Sequence, residues 1–123
     1  MGRKAKDKRL ATIPPTYTPD FVERLDGRTK LATIIPARIA AIESDLGGTE
    51  SLSHFRKSLV RRAVWLEAVV ETFEQGLACD RLTDLGAYTQ AINSMLGIYR
   101  QLGLERRLKT VRSLRDVMSG AAA

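Results

Sequence analysis

The sequence predicts an all-α protein built on one long antiparallel helical hairpin, about residues 50–103, packed with a shorter N-terminal helix. Three observations carry this prediction. Leucine, alanine and arginine dominate while aromatics make up only 6% of the 123 residues, a balance that suits helices better than sheets. Apolar residues recur at three- and four-residue steps over two long stretches joined by a short turn, the spacing of one helical face. Glycines at 47–48, 76 and 103 fall where those periodic stretches end, as helix stops do.

Residues 1–25 read as an arm, disordered when free. Met1–Arg9 holds five Lys/Arg against one acid, and Pro14, Pro15 and Pro19 follow, interleaved with Thr16, Tyr17 and Thr18. Proline lacks a backbone donor and biases its predecessor to extended geometry, so neither a helix nor a central strand is expected there. Residues 26–109 form the expected helical oligomerisation domain, and 110–123 a tail or short helix.

The first helix is expected over 28–46, with Asp26 or Thr29 as its cap. Leu31, Ile34, Ile35, Ile39, Ile42 and Leu46 lie close to one face, and Pro36 introduces a kink or moves the start toward Thr33. The second helix is expected over 51–75, capped by Thr49 or Ser51 and stopped by Gly76. Its seam is Leu52, Phe55, Leu59, Ala63, Leu66, Val70, Phe73 and Leu77. The third runs over 83–103 with a seam of Leu85, Tyr88, Ile92, Met95/Leu96, Tyr99 and Leu102. Two matched helices joined by a short turn fold back on each other.

Two features point beyond a lone hairpin. The second helix carries more apolar surface than one seam uses: Val60, Val64 and Ala68 form another stripe, and Trp65 with Val69 a further flank. The first helix covers one of these, or a second copy does. The third helix has no charged residue from Leu85 to Tyr99, and its other face presents Gly86, Thr89, Gln90, Asn93, Ser94 and Gly97. A mid-helix glycine costs about 1 kcal/mol against alanine, so close approach of another backbone is expected, either in an oligomer or against the first helix. The candidate oligomer interface is therefore Val60, Val64, Trp65, Gly86, Gln90, Asn93, Ser94 and Gly97.

The chemistry-bearing residues are few. His54, the only histidine, has no Cys or His at ligand spacing, so no metal site is expected. Cys79 has no activating base, and as a lone cysteine it fits a reducing cytoplasm. No phosphate-cradling glycine motif is present. Glu67/Glu71 and Glu71/Glu74 read as a solvated face. No apolar run reaches the roughly 18 residues of a membrane span. The expectation is a non-enzymatic protein with no cofactor and no membrane partner.

The net charge of +6 is uneven. Residues 1–9 and 100–123 are each net +4, and residues 10–99 are net −2. Arg3, Lys4, Lys6, Lys8 and Arg9, together with Arg56, Lys57, Arg61 and Arg62, are candidate DNA contacts. Lys and Arg supply phosphate affinity without sequence readout. Arg106, Arg107, Lys109, Arg112 and Arg115 form a candidate partner-binding segment.

Residues 26–118 also carry a family cadence: Asp26-Gly-Arg-Thr29, Asp45-Leu-Gly-Gly48, Leu59-Val-Arg-Arg-Ala63 and Ile92-Asn-Ser-Met-Leu-Gly-Ile-Tyr-Arg-Gln-Leu-Gly-Leu-Glu-Arg-Arg107. This resembles short phage and prophage proteins similar to small terminase subunits, the DNA-recognition component of genome-packaging motors. The strongest piece is Leu102-Gly-Leu-Glu-Arg-Arg107 after the last long helix. The resemblance implies a homo-oligomeric ring assembled through the hairpin, contact with double-stranded DNA through the N-terminal region, and a C-terminal segment that engages the large terminase subunit, all in the bacterial host cytoplasm. The chain departs from the family in lacking an N-terminal helix-turn-helix domain, so the implied DNA contact is to phosphates. Two alternatives stay open: a phage structural protein using the same hairpin without DNA, and a helical DNA-binding regulator.

Overall fold

The computed structural model describes residues 9–103, which are all-helical, with four α-helices and no strand among them. They are α1 (Phe21–Arg24), α2 (Leu31–Asp45), α3 (His54–Ala78) and α4 (Leu85–Leu102), with a 3-10 turn at Thr49–Ser51. The hairpin α3–α4 is the most extensive contact among the described residues, and α2 also packs on α3.

The helix boundaries differ from the sequence expectation for identifiable reasons. Thr49 and Ser51 cap nothing, because their hydroxyls are engaged elsewhere. Thr49 donates to Glu43 at 2.7 Å, and Ser51 donates to the Gly48 carbonyl at 2.9 Å. The 3-10 turn pushes the start of α3 to His54, where Ser53 accepts from the Arg56 amide. The far end is displaced equally. Gly76 lies inside α3, and its missing side chain admits Thr83, whose hydroxyl stands 2.9 Å from where a Cβ would be. Asp80 takes the left-handed position (φ 61°) that closes the helix, and the Arg81 amide donates back to the Gly76 carbonyl. Asp84 then caps α4, and Gly103 (φ 71°) ends it at the expected place. Helix α2 begins at Leu31 and runs through Pro36 to Asp45. Asp26 is not its cap; its carboxylate accepts from the Arg28 amide and guanidinium in the preceding turn.

The main correction concerns residues 9–25, which are part of the core rather than a disordered arm. The Leu10 amide donates to the Arg24 carbonyl and the Asp26 amide to the Leu10 carbonyl, both at 2.8 Å, so the segment closes on itself as a parallel bridge. Phe21 is fully buried and packs with Leu25, Ile35, Val64 and Ala68. The prolines are accommodated because an extended proline still offers a carbonyl: that of Pro14 accepts from the Trp65 indole at 2.9 Å. Tyr17 meets Phe21 and Trp65 edge-on, at 5.9 and 5.8 Å between ring centroids. Each such aromatic pair adds about 0.5–1.5 kcal/mol beyond its buried area.

This arrangement accounts for the surplus apolar stripe of α3. Val60 and Val64 are completely buried, and Val64 with half-buried Trp65 is covered by the chain's own N-terminal segment and α2. These three residues are therefore core, not oligomer interface. The hairpin seam, by contrast, is not closed throughout, although Leu52 and Leu102 are buried at its open end. Phe55 (64% exposed), Leu77 and Leu85 stand open at its ends. Residues 1–8 and 104–123, which include Arg3, Lys4, Lys6, Lys8, Arg106, Arg107, Lys109, Arg112, Arg115 and the expected short helix, lie outside the described residues.

Candidate functional site

Helix α4 has two chemically distinct faces. Its inner face holds Ala91 and Leu102, both buried, and two tyrosines that reach across to α3. Tyr99 donates to the Glu67 carboxylate at 2.6 Å, and Tyr88 donates to Glu74 at 2.9 Å while stacking obliquely on Phe73. Burial and the Glu67 carboxylate together raise the Tyr99 pKa well above the ordinary phenol value. Glu67 also contacts Arg38 of α2 (3.1 Å), and Arg38 makes a bidentate pair with Glu71 at 2.9 Å. Arg38, Glu67, Glu71 and Tyr99 thus tie three helices together. The acidic pairs that read as a solvated face are structural partners.

The outer face is open. Gly86, Thr89, Gln90, Asn93 and Ser94 are exposed, flanked by Leu85 and Leu96. Gly86, Gln90, Asn93 and Gly97 succeed one another at steps of four, three and four, which sets them in a single line along the helix. A side chain added at Gly97 meets nothing within 4 Å, and one added at Gly86 meets only the Asp84 carboxylate. The close backbone approach expected from these glycines is not made among the described residues. The face offers amide hydrogen-bond donors and acceptors and small residues, with no charge to desolvate. Such a surface can pack against a second helix without burying an unpaired ion.

The basic cluster on α3 is largely committed within the chain. Arg61 pairs with Glu23 at 3.0 Å and donates to the Pro19 carbonyl. That contact holds the Glu23 carboxyl below its ordinary range. Arg56 donates to the Leu102 carbonyl at the end of α4 (3.0 Å). Arg62 donates to the Ser58 hydroxyl and lies over the Tyr17 ring, 4.8 Å from its centroid. Arg9 donates to the Glu23 carbonyl. Of this group only the Lys57 side chain makes no hydrogen bond or ion pair among the described residues. The arginines clasp the N-terminal segment and the hairpin end, a role sequence reading missed. The signal was present in Tyr17 and Phe21, two aromatics four residues apart in a chain with few.

His54 and Cys79 are exposed. No group of three or more potential metal ligands occurs among the described residues, and no helix among them is long and apolar enough to cross a membrane. Comparison with protein-family models, with curated proteins and with solved structures returns no match to this chain.

Proposed function

We propose that this chain is a non-enzymatic, small terminase-like subunit of a phage genome-packaging machine. It assembles into a homo-oligomer, a ring in the small-terminase pattern, through the outer face of α4. It engages double-stranded DNA and a large terminase subunit through its basic ends. What carries the reading is the uncharged line Gly86, Gln90, Asn93 and Gly97 along a long hairpin, the first three exposed and Gly97 half-buried with nothing within 4 Å of where its Cβ would stand. DNA contact falls to Arg3, Lys4, Lys6 and Lys8 with Lys57, since Arg56, Arg61, Arg62 and Arg9 have intrachain partners. A few lysines and arginines per subunit bind phosphate weakly, but many tethered copies raise the effective concentration. Arg106, Arg107, Lys109, Arg112 and Arg115 are assigned to the large subunit.

Retention of a DNA duplex by the full chain across a salt series tests the function. If each assembly makes 6–10 phosphate contacts, affinity falls by about 10³–10⁵ between 50 and 200 mM salt, and deleting residues 2–8 abolishes most of it. DNA binding that ignores salt, or that survives the deletion unchanged, refutes the assignment. A chain that assembles but retains no DNA at low salt is instead the structural protein using the same hairpin.

A further inference from the structure

Helix α3 has three sides, and two of them are covered. Arg56, Glu67 and Glu74 meet α4 through the Leu102 carbonyl, Tyr99 and Tyr88. Val64 and Ala68 pack in the core with Phe21 and with Ile35 of α2. Phe55, Leu59, Leu66, Phe73 and Leu77 follow one another at steps of four, seven, seven and four. At about 100° per residue, this stripe lies about 90° round α3 from the α4 contacts and about 180° from the α2 contacts. None of the five is in the core cluster or packed against it among the described residues. Phe55 is 64% and Leu77 43% exposed, and Leu59, Leu66 and Phe73 are half-buried. From Phe55 to Phe73 the third side is an apolar strip about 27 Å long.

The chain leaves α4 at the foot of this strip. Gly103 ends the helix in the left-handed conformation (φ 71°), which turns the chain off the α4 axis. Arg56 holds the Leu102 carbonyl at 3.0 Å, so the exit from α4 is anchored one residue along α3 from the exposed Phe55. In the sequence that follows, Leu104, Leu108, Val111, Leu114 and Met118 recur at steps of four, three, three and four, the spacing of one helical face. A helix over 104–118 is about 21 Å long, which fits the strip. Arg106, Lys109 and Arg112 fall outside that face. Arg107 and Arg115 border it, where arginine stems cover apolar surface while the guanidinium reaches water.

We infer that residues 104–118 fold back as an amphipathic helix onto this strip, alongside α3 and in the same direction, with Leu104 near Phe55 and Leu108 near Leu59. The contact is separate from the outer face of α4 and holds whether or not the chain assembles. The segment is tethered at Gly103, so its effective concentration at the strip exceeds that of any free partner. Docking covers the exposed Phe55 and turns Arg106, Lys109 and Arg112 outward on one fixed basic surface, in place of a loose tail.

Hydrogen exchange on the full chain, read by mass spectrometry, tests this. The amides of 106–118 exchange at least tenfold more slowly than those of an unstructured chain, and Phe55→Gln removes that protection while the amides of α2 keep theirs. In a Cys79→Ser background, Leu59→Cys with Leu108→Cys forms a bond within one chain on oxidation by diamide. Mixed heavy- and light-isotope protein distinguishes that bond from one between copies. With 106–118 protected in the parent chain, either the loss in Phe55→Gln or the intrachain bond upholds the docking. Exchange of 106–118 at unstructured rates in the parent chain overturns it. So does protection that Phe55→Gln leaves intact with no 59–108 bond, which puts the segment elsewhere. A 59–108 bond that joins two copies also overturns it and makes the strip an interface between chains.

Discussion

Replacing Phe21 with alanine tests whether the N-terminal segment belongs to the fold. Phe21 is fully buried against Leu25, Ile35, Val64 and Ala68, and Tyr17 packs on its edge. Truncating a buried phenylalanine costs about 3–5 kcal/mol through lost transfer energy and the cavity left behind. A domain of this size has about 5–15 kcal/mol in total. Each kcal/mol moves the melting temperature by about 4–8 °C, so Phe21→Ala lowers it by more than about 12 °C. Urea denaturation followed by far-UV circular dichroism measures the loss, with the slope unchanged. Trp65, the only tryptophan, gives a second readout, since its indole donates to Pro14 and its ring packs on Tyr17. Release of the segment shifts its emission to the red. A loss below about 1 kcal/mol with unchanged Trp65 emission refutes the claim that residues 9–25 are core.

The phenol of Tyr99 has its pKa raised in the folded state by burial and by the Glu67 carboxylate. The stability it contributes is therefore fully present below the ordinary phenol value near 10 and is lost as pH rises past it. Urea midpoints between pH 9 and 11 fall more steeply for the parent chain than for Tyr99→Phe; parallel profiles contradict this. Arg38→Met removes a partly exposed bridge to Glu67 and Glu71 and lowers stability by about 1 kcal/mol, with a smaller effect in high salt. No salt dependence of that difference means the pairing is not electrostatic.

The hairpin was legible because its periodicity is local: the seam of α4 and the stop at Gly103 follow from residues near one another in the chain. The boundaries of α3 were not legible, because Thr49 and Ser51 look like caps until their hydroxyls are seen to serve Glu43 and Gly48. The largest departure is the segment 9–25. Its prolines correctly excluded a long helix, yet its place in the core depends on contacts over large sequence separations, such as Trp65 with Pro14. Once that segment is seated, Val64 and Trp65 leave the candidate interface, as does the fully buried Val60. Gly86, Gln90, Asn93, Ser94 and Gly97 remain in it, because the space above Gly97 is open. The arginines of α3 misled for a related reason: a basic cluster on a helix reads as a polyanion site, but Glu23 and the Pro19 and Leu102 carbonyls take up Arg61 and Arg56.

The solution mass of the parent chain beside Gly97→Leu bears most directly on the outer face of α4. Among the described residues a Cβ at this position meets nothing within 4 Å, and the substitution removes a mid-helix glycine that costs about 1 kcal/mol, so the fold holds or gains stability. Light scattering at micromolar concentration should give a multimer for the parent chain and a smaller species for Gly97→Leu, with an equal or higher melting temperature. A monomeric parent chain, or a variant of undiminished mass, contradicts the assembly role of this face.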